Sequence, residues 1–169
     1  MTDAQWEQAG SFWTRKTALG KPMGKEKLFA WIDAFLGAHH VLALATGSGD
    51  HLRCTPLEYS WHDHALWILS DGGRKFCALR ENRQVAATVF ETDTSFSNLQ
   101  ALQMEGVAEI EDNTSEDYEK EAAYRHIPVS ALRNLAEPLW LIKIIPTAIT
   151  CLNTGFKAEG FSARQIWRD

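Results

Sequence analysis

The chain has 169 residues, 45% hydrophobic and 23% charged, the size and mix of one globular domain that buries a core without staples. Seventeen basic against 22 acidic residues, a net of -5, argue against a protein built to grip nucleic acid, and no apolar run approaches the roughly 20 residues of a membrane span. The start MTDAQWEQAG lacks a secretory leader pattern, and Cys54, Cys77 and Cys151 are too scattered for a disulfide framework or paired-cysteine zinc site, so a reduced, cytoplasmic protein is expected.

Residues 3–17 carry Trp6, Phe12 and Trp13 among Glu7, Arg15 and Lys16, a loosely amphipathic helical pattern that Gly20, Pro22 and Gly24 break. In KEKLFAWIDAFLGA the spacing of Leu28, Ile32, Phe35 and Leu36 predicts a helix, with Gly37 at the expected C-terminal cap. From residue 40 the pattern becomes alternating. Residues 40–46 (HVLALAT) predict a strand ending in the turn cluster GSGD. Residues 51–61 (HLRCTPLEYSW) and 66–70 (LWILS) predict two more, joined as a hairpin through HDH. Pro56 cannot donate to a ladder, which puts its strand at an edge or a bulge.

After SDGGRK, residues 75–82 (KFCALREN) predict one or two helical turns. Strands follow at 84–91 (QVAATVFE) and 99–110 (LQALQMEGVAEI), separated by the polar loop TDTSFSN. Residues 114–126 open on Thr114 or Ser115 with acidic residues behind, a helix start. A short helix near 129–135 precedes Pro138. Residues 139–152 (LWLIKIIPTAITCL) predict a strand bulged or at an edge near Pro146, and 161–167 a last short one. The sum is an α+β fold, an antiparallel barrel or strongly curved sheet of six or seven strands with flanking helices. One domain over residues 1–169 is expected, with the helices of residues 1–37 packed on the barrel.

The stretch Ser70-Asp71-Gly72-Gly73-Arg74-Lys75 lies between a predicted strand and a predicted helix. Its glycines let backbone approach a ligand closely, a helix start leaves amides free, and two cations stand beside them. A phosphate is the natural guest; a turn with two solvated charges is the plain alternative, and the spacing is not that of a nucleotide P-loop. In the strand 51–61, Arg53, Thr55, Leu57, Tyr59 and Trp61 share one face. If the hairpin sets this strand beside 66–70, Arg53 and Thr55 come near the same turn, and an arginine fork suits phosphate oxygens.

An apolar strand ending in LAT, an Arg-x-x-Pro strand, Ser-x-Gly-Gly-x-Lys-Phe, and a strand reaching a glycine before VAEI follow one another in this order. Over about residues 32–117 the chain thus resembles the pyridoxamine 5'-phosphate oxidase-like family. That resemblance implies an FMN-binding split β-barrel, dimeric, with flavin near the subunit interface. It places Arg53 on the phosphate, Cys54, Thr55, Pro56 and Leu57 along the flavin, and Leu69 and Ser70 beside the ring and ribityl chain. Arg74 and Lys75 match the basic pair that closes on the phosphate, and either Gln100 or Gln103 matches a glutamine facing the flavin from the partner subunit.

The vitamin-making members carry a lysine where this chain reads Leu57, Glu58, Tyr59, and an Arg-x-His element where it reads GFSARQIWRD. The resemblance therefore implies a relative with another small-molecule substrate. An FMN-dependent oxidoreductase is the first reading, a flavin carrier without turnover the second, and a barrel for another phosphorylated ligand the third. His62 and His64 around Asp63 read as solvated turn residues, and neither they nor His39 and His40 before a strand have metal-ligand spacing, so no metal is expected. Cys54 and Cys77 read as small apolar fillers, the tryptophans and phenylalanines as core or dimer interface, and residues 116–121 as a solvated acidic face.

Overall fold

The computed structural model describes residues 1–92, 95 and 97–168; part of the expected polar loop TDTSFSN falls on residues 93, 94 and 96, outside them. Three helices lead the chain, α1 (Asp3–Gly10), α2 (Phe12–Ala18) and α3 (Lys25–Ala38). Strands β1 (Val41–Ser48), β2 (His51–Glu58), β3 (Ser60–His62) and β4 (Ala65–Ser70) follow, then α4 (Lys75–Glu81), β5 (Gln84–Phe90) and β6 (Gln100–Glu111). Helices α5 (Glu116–Tyr124) and α6 (Val129–Arg133), strand β7 (Trp140–Asn153), a 3-10 turn and β8 (Arg164–Arg168) complete it.

The strands form one 8-stranded antiparallel sheet in the order β2-β1-β5-β6-β7-β4-β3, with β8 also on β7. Strand β7 divides its free edge: Trp140 to Ile144 pair with β4, Ala148 to Leu152 with β8. Pro146 falls in the gap, where its missing N–H is not wanted. Opposite, the β6 register slips between Glu105 and Gly106, so that Thr147 bulges. Gly106 is required there, because a Cβ would come within 2.6 Å of the Ile145 carbonyl oxygen. A bulge strengthens local twist, and the sheet curls here into a half-barrel.

The expected strand 51–61 is two strands. Tyr59 interrupts it, buried with its hydroxyl donating to the Leu36 carbonyl at 2.9 Å. Only the later part hairpins with β4, through Asp63 and His64, both left-handed at φ 49° and 57°. The earlier part pairs with β1 across the two-residue Gly49–Asp50 turn, and β2 ends as an edge strand carrying Pro56. This split makes eight strands of the expected six or seven.

Helix α3 lays Leu28, Ile32, Phe35 and Leu36 over the barrel core, and runs through Gly37 to a cap at His39. Each such fully buried aliphatic side chain stabilises the fold by about 1.5–3 kcal/mol. The first two helices depart from expectation. They bury no residue, and α2 reaches the sheet through Trp13, over which the Arg164 guanidinium lies at 4.6 Å.

A second core, Trp67, Tyr118, Ala122, Leu132 and Leu141, joins α5 and α6 to the sheet. Its rim holds Glu121, 0% exposed rather than part of a solvated face. This carboxylate accepts from His62 Nε2 at 2.9 Å, Arg125 Nε at 2.5 Å and the Ser60 hydroxyl. His62 is not a solvated turn residue either, being stacked between Trp67 at 4.6 Å and Tyr124 at 4.1 Å. Glu121→Ala strands three donors and is expected to lower stability by about 3–5 kcal/mol. A urea midpoint unchanged in that variant would show the network to be dispensable.

Candidate functional site

Strand β4 ends at Ser70 and α4 begins at Lys75, so the SDGGRK stretch is the turn between them. Gly72 and Gly73 take φ of 110° and 100°, a region open to glycine and disfavoured for other residues. The turn folds on itself: the Gly72 N–H donates to Ser70 Oγ at 3.4 Å, and the Lys75 ammonium donates to the Gly72 carbonyl. Among the described residues the Gly73, Arg74 and Lys75 amides have no acceptor.

Lys75 is 5% exposed, and it forms no ion pair among the described residues. Burial holds its pKa below the ordinary lysine range, with the Asp71 charge opposing weakly. A buried ammonium facing one carbonyl is an incomplete site for a cation. Arg74 stands exposed at the start of α4.

Arg53 does not come to the turn through the expected hairpin; its strand meets the helix that the turn begins. Strand β2 pairs with β1, not β4, and α4 packs against both β1 and β2. Asn82, just after α4, ties it down by donating to the Gly47 carbonyl at 2.7 Å. On the face that holds Thr55 and Leu57, Arg53 lies opposite Thr46. Thr46 Oγ1 is buried with no hydrogen-bond partner among the described residues, a polar orphan that sequence reasoning missed because Thr46 reads as the end of an apolar strand.

The opposite face of the sheet gathers a second group. Ala43, Ala45, Cys54, Ala86, Thr88 and Gln103 line a shallow cavity of about 350 Å³. Pro56 lines the adjoining hollow with Val41 and Phe90. Of the two glutamines, Gln103 lies in the cavity with Cys54, while Gln100 sits at the far end of β6 opposite Asn153. Leu69 belongs to neither group, since its side chain packs on the second core. Cys54 and Cys77 are exposed rather than apolar filler; Cys151 alone is buried, its thiol pushed up to about 12.

No protein-family model matches the chain, and no curated protein does. Solved structures do. A FAD-binding protein from Mesorhizobium loti is 18% identical with a TM-score of 0.59, over 79% of this chain and 95% of its own. A candidate pyridoxamine 5'-phosphate oxidase from Listeria innocua is 24% identical with a TM-score of 0.58, over 75% of this chain and 98% of its own. The general stress protein 26 of Bacillus anthracis is 20% identical with a TM-score of 0.55, over 73% and 92%.

The fold is the split barrel of pyridoxamine 5'-phosphate oxidase-like proteins. The SDGGRK turn is linked to the alanine-lined face through β1 and β2, on which α4 packs and which carry Ala43, Ala45 and Cys54. No helix among the described residues is long and apolar enough to cross a membrane.

Lys75 gives a pH test with a defined sign. Its folded pKa is depressed, so the unfolded chain binds more protons between that lowered value and 10.5. Stability therefore gains as pH rises through that window, and Lys75→Met should remove this gain. Inorganic phosphate should raise the melting temperature of the native chain more than that of Lys75→Met. Identical pH and phosphate responses in the two proteins would show that the ammonium has no anion to receive.

Proposed function

We propose that this chain is a homodimeric oxidoreductase that binds flavin mononucleotide and acts on a small-molecule substrate. The observation that carries this reading is Lys75, a buried cation that among the described residues has only a carbonyl for partner, in a turn with three amides free among them and beside Arg74. A terminal phosphate is a dianion and suits such a set, because charge-assisted hydrogen bonds are the strong ones. FMN ends in a phosphate of this kind, whereas in FAD the phosphates are internal. The residues present fit the group: Arg53, Arg74 and Lys75 neutralise it, Ser70 and the turn amides donate, and Thr46 Oγ1 is a further free group opposite Arg53.

The alanine-lined cavity supports the flavin itself. Three small side chains, Ala43, Ala45 and Ala86, leave room for a flat ring system against the backbone. Gln103 stands at its edge with both a donor and an acceptor. When bound, the flavin would supply the redox chemistry, and the protein's part is grip, orientation and local electrostatics. A donor from Gln103 favours a ring that gains negative charge, the preorganised stabilisation that speeds such steps.

A second copy of the chain is the natural cover for this face. Val41, Leu52 and Phe90 are 60%, 75% and 53% exposed on it, with Pro56 and the alanines between. An apolar patch of this kind marks an interaction surface, and a self-complementary pairing closes it in a dimer.

Titration with FMN and with FAD tests the cofactor: tight FMN binding and a yellow protein are expected, and colourless protein indifferent to both would end the reading. Arg53→Ala should weaken FMN by about 1.5–3 kcal/mol, about tenfold to a hundredfold in affinity. Ala86→Arg should give a monomer by light scattering and loosen the flavin; a native protein with the mass of one chain would remove the interface. Oxidation of NADH or NADPH with turnover separates an enzyme from a carrier, in which bound flavin is reduced once and stays so.

A further inference from the structure

A different cleft, of about 640 Å³, shares no lining residue with the cavity on the alanine face. It opens between α3, the β3–β4 turn and β8, walled by Lys25, Glu26, Phe29, Asp33, His64 and Trp167. Glu26, Phe29 and Asp33 recur on one side of α3, where residues three, four and seven apart line up. Phe29 meets the His64 ring edge-on, 4.7 Å between centroids, and tilts against Trp167 at 5.5 Å. His64 is held there by a left-handed turn in which glycine or asparagine is the usual occupant.

Two features give the cleft a charge preference. Asp33 is fixed by the Trp61 indole, whose Nε1 donates to Oδ1 at 2.8 Å, and its second oxygen has no partner among the described residues. Glu26 likewise makes no ion pair among them. Meanwhile the Lys25 ammonium sits 5.6 Å from the Trp167 ring centroid, so a cation of the chain itself already occupies the aromatic face. Such a ring attracts ammonium groups through its quadrupole.

We propose that this cleft binds an organic ammonium, a primary amine carried on an apolar body. The amine takes the place of the Lys25 ammonium on Trp167, with Asp33 and Glu26 as its counter-charges, and the body lies against Phe29 and His64. The volume is within the range of small-molecule pockets.

Calorimetric titration of the full chain with phenethylammonium, with its neutral counterpart 2-phenylethanol, and with 3-phenylpropionate tests this. The Trp167 indole N–H resonance, assigned by its loss in Trp167→Phe, locates the binding. The amine should bind and shift that resonance, with the alcohol weaker by about fivefold or more and the carboxylate not detected. Asp33→Asn, which keeps an oxygen for Trp61, should weaken the amine about fivefold, and Glu26→Gln gives the same reading should Asp33→Asn unfold. Lys25→Ala should strengthen it, because the competing cation is gone. Equal affinity for amine and alcohol, an unmoved Trp167 resonance, native affinity in both carboxylate variants, or weaker binding in Lys25→Ala would each overturn the assignment. None of these readouts needs flavin, so they stand or fall apart from the cofactor.

Discussion

The β6–β7 ladder, broken once, is the constraint from which the rest of the molecule follows. Its strands pair along nearly their whole length, and the single slip occurs where Gly106 lets the Ile145 carbonyl approach and Thr147 bulges out. On the other edge of β7 the same point separates β4 from β8. One local irregularity thus bends the sheet and ends one pairing as another begins. Because β4 leads directly into α4, and α4 packs on β1 and β2 from the far end of the strand order, this curvature sets the helix that follows the SDGGRK turn against the strand that carries Arg53.

Two buried charges in this fold, Glu121 and Lys75, are satisfied to very different degrees. Glu121 has three donors, from β3 and from its own helix, and two aromatic rings hold one of those donors in place. Its carboxylate is filled without a ligand. Among the described residues Lys75 has a carbonyl and no carboxylate at hydrogen-bonding distance, in a turn with three further amides unspent. An unpaired buried charge is costly, and perturbed ionisable groups of this kind cluster at functional sites. The same reasoning distinguishes Thr46, an orphan hydroxyl beside Arg53, from Thr88, whose hydroxyl donates to the Leu102 carbonyl at 2.9 Å.

What could be read from the residues was what local chemistry marks. The helix at α3, the Ser115 cap, the edge position of Pro56 and the bulge by Pro146 all carry a signal within a few residues of themselves. The partner of β2 did not, because the break at Tyr59 contains neither glycine nor proline and arises from a hydrogen bond to Leu36 on another element. The tighter GSGD turn in fact favoured pairing with β1. Glu121 was misread for a related reason: its helix looks acidic, yet Tyr118, Glu121, Ala122 and Arg125 recur at helical spacing on one side. A charged residue within an apolar stripe, followed four residues later by an arginine, is the pattern that would have found it.

Cys54 and the two glutamines show where parity decides what motif order leaves open. Strand residues alternate between faces, so Cys54 and Arg53 cannot both face one ligand atom with their side chains. Arg53 and Thr55 take the face toward α4, Cys54 and Pro56 the alanine face, and β2 therefore presents two surfaces rather than one. A ligand with a charged end and a flat end has a use for both, provided that it passes round the edge of the sheet. Strand β2 is that edge, and being unpaired on its outer side it leaves the passage open. An edge strand is ordinarily a liability for uncontrolled pairing. Here Pro56 interrupts its row of donors, and the exposed backbone lies between the cationic turn and the small-residue face, where a bound molecule or a second subunit would cover it.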